Sequence, residues 1–396
     1  MSFASKNIYV VSAVRTAIGS FGGALKDTSL SSLATQVVAA SLQRAGVAPQ
    51  QVEHLVMGNV IPTEAADAYL SRVAALGAGM RLEVPAYNVN RLCGSGLQAI
   101  ISAAQLIALD DAEIAVGAGA ESMSRGPYIL PSQRWGARMG NVEALDYMLG
   151  VLHDPFNSRH MGITAENVAN RYGVDRESQD RLAVTSQQRA ARAIAEGRFK
   201  DQIVGIEVRV GRKSEVFDTD EHVRSDASLE GLAKLKPVFA AQGSVTAGNS
   251  SGINDGAAAV LLASEQAVAK HQLKPLARLV AYGHAGVDPE YMGIGPVPAS
   301  RLALQRAGLR ADDMAVIEAN DAFAAQACAV IQEMKFDSAR VNPNGSGISL
   351  GHPVGATGAI LVTKAVHELR RSKERYGLAT MCIGGGQGIA LILERV

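Results

Sequence analysis

Leu42-Gln43-Arg44-Ala45-Gly46 recurs letter for letter as Leu304-Gln305-Arg306-Ala307-Gly308, and each copy is followed by a short polar turn and an apolar run that ends at an asparagine, Asn59 or Asn320. A second echo follows in the same order. Val89-Asn90 ahead of Gly94-Ser95-Gly96 is matched by Val341-Asn342 ahead of Gly345-Ser346-Gly347, each followed by a helical pattern and a glycine-terminated strand. Two echoes in one order imply a duplicated, layered α/β unit whose halves stack and place equivalent loops around one shared site.

Around these echoes, the first ~120 residues alternate strand and helix patterns: Ile8 to Val11, a helix from about Ser31 to Gly46, Val52 to Gly58, a short buried strand over Pro85 to Val89, and Ile114 to Val116. Such alternation predicts a largely parallel sheet. From Glu121 to about Gly243 the sequence turns irregular, charged and aromatic, which reads as an inserted loop domain serving as a cover or an assembly surface. Regular character returns at Ala257 to Ala263. The expected organisation is a first half over 1–120 and 250–272, a loop domain over 121–249 and a second half over 273–396.

At 396 residues, with 47% hydrophobic and 19% charged residues, the chain can build substantial cores and is not extensively disordered. Its formal net charge of zero gives no reason to expect nucleic acid as a partner. Cys93, Cys328 and Cys382 form no disulfide framework, so the thiols are expected to be free in a reducing compartment. No apolar run reaches the ~18 residues of a membrane span, and the N-terminus carries no signal core, so the cytoplasm is the expected location.

Cys93 lies between an extended run and a helical one, in which Leu97, Ile100, Ile101, Ala104 and Ile107 recur at helical spacing. A cysteine at a helix start meets unpaired N–H groups and the positive end of the helix dipole, which favour a thiolate and a developing oxyanion. Gly94 and Gly96 let a substrate approach the backbone. This setting outweighs the alternative of a buried core cysteine, which is the simplest reading of Cys328 in its alanine-rich run.

His352 is wedged between Gly351 and Pro353 in a glycine-rich loop running into a helix near Gly355, which singles it out from the other histidines as a base or donor. Cys382 ends a strand that enters a glycine turn, where Gly384 can offer its N–H to a bound oxygen. Asn320, also at a strand end, either holds a water or substrate oxygen or is a turn asparagine. Zinc is disfavoured, because no Cys or His pair has ligand spacing.

Cys93-Gly94-Ser95-Gly96, Asn320-Asp321-Ala322-Phe323, Gly351-His352-Pro353 and Cys382-Ile383-Gly384-Gly385-Gly386, in that order over the full length, resemble the thiolases. These are CoA-dependent acyltransferases that make or break 3-ketoacyl-CoA. His160-Met161-Gly162, the Ser244 to Asp255 stretch and Met292-Gly293-Ile294-Gly295-Pro296 are similar to the bacterial biosynthetic group, nearest to the β-ketothiolases of polyhydroxyalkanoate synthesis.

The resemblance implies the thiolase fold, CoA thioesters as substrates, no permanently bound cofactor and a homotetramer built as a dimer of dimers. It implies Cys93 as the acylated nucleophile, His352 as its base and Cys382 as the base at the second substrate. The N–H groups of Cys93 and Gly384 would hold the oxyanion, and Asn320 would hold a water. The CoA arm would lie along Leu152, His160, Met161, Arg224, Phe239, Ala247, Ser251, Met292 and Phe323, with Arg224 near the nucleotide. Asp321 departs from the usual glutamate, as a carboxylate expected to support Asn320. A ketoacyl synthase has no use for a second catalytic cysteine, and a non-enzymatic carrier would not need Cys93 or His352. A degradative 3-ketoacyl-CoA or 3-oxoadipyl-CoA thiolase is the alternative within the family.

Overall fold

The computed structural model describes residues 6–396. The repeated pentapeptide proves to be a helix stop written twice. Helix α1 (Leu30–Ala45) starts on the side chain of Ser29, which accepts from the Ser32 N–H, and ends at Gly46 with φ 68°, whose N–H bonds back to the Gln43 carbonyl. Its counterpart Pro296–Ala307 ends at Gly308 with φ 67° and the matching bond to Gln305. This left-handed position suits glycine because a Cβ would clash with the backbone.

Nine strands form the main path of sheet among the described residues: β1 (Ile8–Thr16), β2 (His54–Gly58), β3 (Ala86–Val89), β4 (Ile114–Ser122), β5 (Asn254–Ser264), β6 (Ala277–Gly286), β7 (Met314–Ala319), β8 (Tyr376–Ile383) and β9 (Gln387–Arg395). Their spatial order is β7-β8-β9-β6-β1-β5-β4-β2-β3. Only Tyr9 with Arg278 and Val10 with Ala277 join β1 to β6, so two sets of strands meet at a narrow seam.

Each set carries the same pattern. In the first, β3 and β4 flank β2 in parallel, while β5 runs antiparallel to both β4 and β1. In the second, β7 and β8 are parallel, while β9 runs antiparallel to both β8 and β6. The sheet is therefore mixed, not largely parallel as the alternation suggested. The reason lies at Gly384-Gly385-Gly386, where Gly385 and Gly386 have φ 78° and 81° and return the chain directly from β8 into β9. In the first half, the long segment between β4 and β5 occupies that same place.

Two helices cross between the sets: α2 (Ser95–Ala108) and the second-half helix Val354–Ser372. Their residues share one core with strands of both halves, including Ile100, Ile107, Val362, Leu369, Val260 and Leu391. Helix α1 packs Leu33, Val37 and Leu42 on the outer face of the first set, and the Pro296–Ala307 helix packs Ala303 and Leu304 on the outer face of the second. The result is five layers, helix, sheet, helix pair, sheet, helix.

The segment between β4 and β5 is more regular than its composition indicated. It holds α3 (Met161–Tyr172) and α4 (Arg176–Ala195), the latter capped by Asp175. It is tied to the first half by a fully buried pair, in which the Arg15 guanidinium donates to both carboxylate oxygens of Asp220 at 2.7 and 2.9 Å. Asp220 also accepts from the Ile18 N–H at 2.9 Å.

The two ends of the sheet differ. Beyond β7, the Ile317 N–H donates to the Arg340 carbonyl and the Asn342 N–H to the Ile317 carbonyl, while the Asn342 side chain bonds Ala319 through both its oxygen and its nitrogen. Among the described residues no strand covers β3, which is half-buried, with Tyr87 exposed, not the buried strand the sequence indicated.

Candidate active site

Cys93 sits two residues ahead of α2, after Leu92, whose φ of 46° is unusual for a leucine. Leu92 is held there by its N–H bond to the Asn90 side chain, and the Ser95 hydroxyl bonds back to its carbonyl. The Cys93 thiol is partly open to a cavity of about 360 Å³. Burial pushes this thiol up to about 11, against the N–H groups of Gly384 and of Cys93 itself, which pull it down. The resting nucleophile is thus a thiol. The cost of burial is larger here than the stabilising effect of the helix start, which agrees with the expected need for His352 as base.

The same cavity is reached from two other segments, the end of β8 with its glycine turn and the loop that carries His352. Cys382, at the end of β8, is buried, and burial raises its thiol, with the neighbouring Cys93 adding to the shift. Gly384 lines the cavity from the glycine turn. The second half also holds α5 (Pro296–Ala307), α6 (Ala324–Met334) and α7 (Val354–Ser372), and His352 enters from the loop immediately before α7. Burial lowers the imidazole to about 4, so it is neutral at pH 7 and able to accept a proton.

Four groups hold this loop. The His352 N–H donates to Asn254 Oδ1 at 2.9 Å, and Gly351 has φ 113° in a space where a Cβ would lie 2.5 Å from Asn254 Cγ. His352 Nδ1 lies 2.6 Å from Thr357 Oγ1, and Nε2 lies 3.4 Å from Asn320 Nδ2. Asn320 therefore stands beside Nε2 of His352, just outside the residues that line the cavity. Asp321 does not support Asn320 as expected: its carboxylate accepts from the Ile348 N–H and the Ser186 hydroxyl, both at 3.1 Å, and so anchors the turn before His352. Burial raises the Asp321 carboxyl to about 6.

Glu121 links the two halves beneath the site. It accepts from the N–H groups of Val60, Ile61 and Gly355 and from the Asn59 side chain, while burial pushes its carboxyl up to about 8. Thr357, Asn254 and Glu121 were not singled out from the sequence. The available signal was a lone polar residue within an apolar run, as in Ile114-Ala115-Val116-Gly117-Ala118-Gly119-Ala120-Glu121.

The cavity is otherwise apolar. Leu152, His160, Met161, Phe239, Ala247, Ser251, Met292 and Phe323 line it, and His160 stacks on Phe239 with ring centroids 4.7 Å apart. Arg224 lines a second cavity of about 310 Å³ that shares Ala247, Ser250 and Gly252 with the first. Cys328 lies on α6 and in neither cavity. Among the described residues no cluster of His, Cys, Asp or Glu could hold a metal, and no helix is long and apolar enough to cross a membrane.

The thiolase N-terminal domain family matches residues 8–266, and the thiolase C-terminal domain family matches residues 273–395. The chain belongs to the thiolase family. This thiolase is 60% identical to beta-ketothiolase BktB of Cupriavidus necator over 99% of its own length and 100% of that relative. It is 49% identical to acetyl-CoA acetyltransferase of Chromobacterium violaceum, over 98% and 99% of the two chains. Human mitochondrial 3-ketoacyl-CoA thiolase has the same fold, with a TM-score of 0.97 at 43% identity over 99% of each chain. The acetyl-CoA acetyltransferase of Bacillus anthracis also gives 0.97, at 46% identity and the same coverage. The thiolase is accordingly an acyltransferase that joins acyl-CoA units by Claisen condensation, with the mixed α/β fold of that family.

Proposed function

We propose that this thiolase condenses acetyl-CoA reversibly with acetyl-CoA or another short acyl-CoA, through an acyl-enzyme on Cys93. The observation that carries the reading is the convergence of Cys93, His352 and the Cys382–Gly384 strand end, from three chain segments, on one largely apolar cavity. His352 takes the Cys93 proton as the sulfur attacks the first thioester. The N–H groups of Cys93 and Gly384 stabilise the oxyanion, and Asn320 holds a water at the second thioester oxygen. Cys382 removes the α-proton of acetyl-CoA, and the enolate attacks the acyl-enzyme.

The CoA arm runs along Leu152, His160, Met161, Phe239, Ala247, Ser251, Met292 and Phe323 towards Arg224 near the nucleotide. Residues 121–249 act as the cover, between α/β halves over 1–120 with 250–272 and over 273–396. No lysine or arginine lines the main cavity, which supports uncharged acyl chains over the dicarboxylated chain of a 3-oxoadipyl-CoA thiolase. Supply of 3-ketoacyl-CoA for polyhydroxyalkanoate in the cytoplasm fits this substrate range. Tyr128, Leu130, Trp135 and Met139 are exposed together before α3 and suit a tetramer contact, which sedimentation at about four times the chain mass would support.

Cys382→Ala tests the division of labour. The variant should still acetylate Cys93 in quenched flow, while condensation falls by roughly 10²–10⁴ and deuterium exchange into the acetyl-CoA methyl group stops. A variant that exchanges but does not acetylate would mean that the two cysteines have opposite roles.

A further inference from the structure

We propose that Thr357 fixes the protonation of His352, holding a hydrogen on Nδ1 in every state and leaving Nε2 as the one nitrogen that gains and loses a proton. The inference rests on the reading of His352 as the base for Cys93.

Thr357 lies in the first turn of α7, and its Oγ1 is 2.9 Å from the Pro353 carbonyl and 2.6 Å from His352 Nδ1. A hydroxyl has one hydrogen, and a carbonyl can only accept. The Pro353 carbonyl also accepts from the Ala356 and Thr357 N–H groups at 2.9 Å, and we assign the Thr357 hydrogen to it too, the ordinary back-bond of a threonine in a helix, which leaves the hydroxyl lone pairs for the imidazole. On that assignment Nδ1 is the donor. In a neutral ring the lone pair lies on Nε2, the nitrogen beside the Asn320 amide at 3.4 Å. Both His352 and Thr357 are buried, at 5% and 3% exposure, so water does not compete for these bonds.

This lock constrains the whole proton path. Cys93 gives its proton to Nε2 as its sulfur bonds to the first thioester carbon. The bond from that carbon to CoA sulfur breaks, and the CoA thiolate takes its proton from Cys382. His352 is now an imidazolium, whose Nε2–H can donate to the second thioester oxygen, and Cys382 is the thiolate that removes the α-proton. When the enolate carbon bonds to the acyl carbon, the bond from Cys93 breaks and Cys93 recovers its proton from Nε2. Cys382 keeps the proton it removed, so the site returns to its starting state. A neutral His352 with Nδ1–H could not donate to the second substrate, so the proton must stay on Nε2 between the two half-reactions. The other titratable groups facing this path are His160 in the cavity and Glu121 beneath it.

The test compares Thr357→Val, which keeps the shape and removes the hydroxyl, with Thr357→Ser, which keeps the hydroxyl. Enzyme labelled with ¹⁵N-histidine is read by solid-state NMR at pH 7, with His352 assigned by its loss in His352→Asn. The parent and Thr357→Ser should show protonated Nδ1 and bare Nε2, and Thr357→Val should show a proton shifted to Nε2. Acetylation of Cys93 should fall about ten- to hundredfold in Thr357→Val, with the KM for acetyl-CoA little changed, and should stay within about threefold in Thr357→Ser. A parent enzyme carrying its proton on Nε2, or a Thr357→Val variant matching the parent in spectrum and rate, would overturn the proposal. If His352→Asn acetylates Cys93 at the parent rate, the base assignment fails instead, and the spectrum alone decides the tautomer.

Discussion

Replacing Gly358 by alanine sets two effects of opposite sign against each other. In an exposed helix interior, the change should stabilise by up to about 1 kcal/mol through helix propensity. Gly358 is instead at the crossing of α7 with α2, where a Cβ would lie 2.2 Å from the Leu97 nitrogen and 2.7 Å from Leu97 Cβ. These neighbours include backbone, so the helices must part by about 1 Å before the contact becomes tolerable. Overpacking of this kind costs about 1–3 kcal/mol, so sterics should win and the net effect should be destabilising. The effect on rate should be larger. Cys93 lies just before α2 and His352 just before α7, and a 1 Å misplacement of reacting groups can cost about 10²-fold. Gly150→Ala, in the exposed short helix Tyr147–Val151 where nothing lies within 4 Å of the added carbon, serves as the control and should be neutral or slightly stabilising. Thermal melting and quenched-flow acetylation of Cys93 measure both effects. If Gly358→Ala melts higher than the parent and acetylates at the parent rate, the helix crossing does not set the geometry of the site.

Asp220→Ala should cost about 3–5 kcal/mol in urea unfolding, because it leaves the Arg15 guanidinium buried without its partner; a loss under about 1 kcal/mol would contradict the buried pair. The pH dependence of Cys93 acetylation follows from His352, which acts in its neutral form and whose pKa is lowered by burial to about 4. The kcat/KM for acetylation should therefore hold its neutral-pH value through pH 6 and 5 and halve only near pH 4, whereas a midpoint near the ordinary histidine value of about 6.5 would show that His352 is not buried as described.

The duplication was legible because it rests on local signals. Gly46 and Gly308 end equivalent helices for the same steric reason, and a five-residue match is visible without any knowledge of packing. The residues that converge on the cavity were legible because glycines and a proline hold them in shaped loops. Strand direction was not legible, since a glycine turn between β8 and β9 and a long insert between β4 and β5 serve the same connection. Nor was the balance of forces on the Cys93 thiol: its helix start is local, but its burial depends on residues hundreds of positions away. Thr357 belongs to the same class. In sequence it is one more small residue in Gly355-Ala356-Thr357-Gly358, and its meaning appears only when the ring of His352 lies 2.6 Å from it.

The unequal ends of the sheet set a limit on growth. β7 has its outer hydrogen-bonding groups occupied by residues 340–342, with Asn342 acting as a plug, whereas β3 has no strand beyond it. A molecule with two open edges could add copies at both and extend into a filament. With only one, pairing through β3 consumes the single open edge of the main sheet in each copy, so growth of that sheet by backbone hydrogen bonding terminates at two. A larger particle built from such pairs would then need a surface other than this edge.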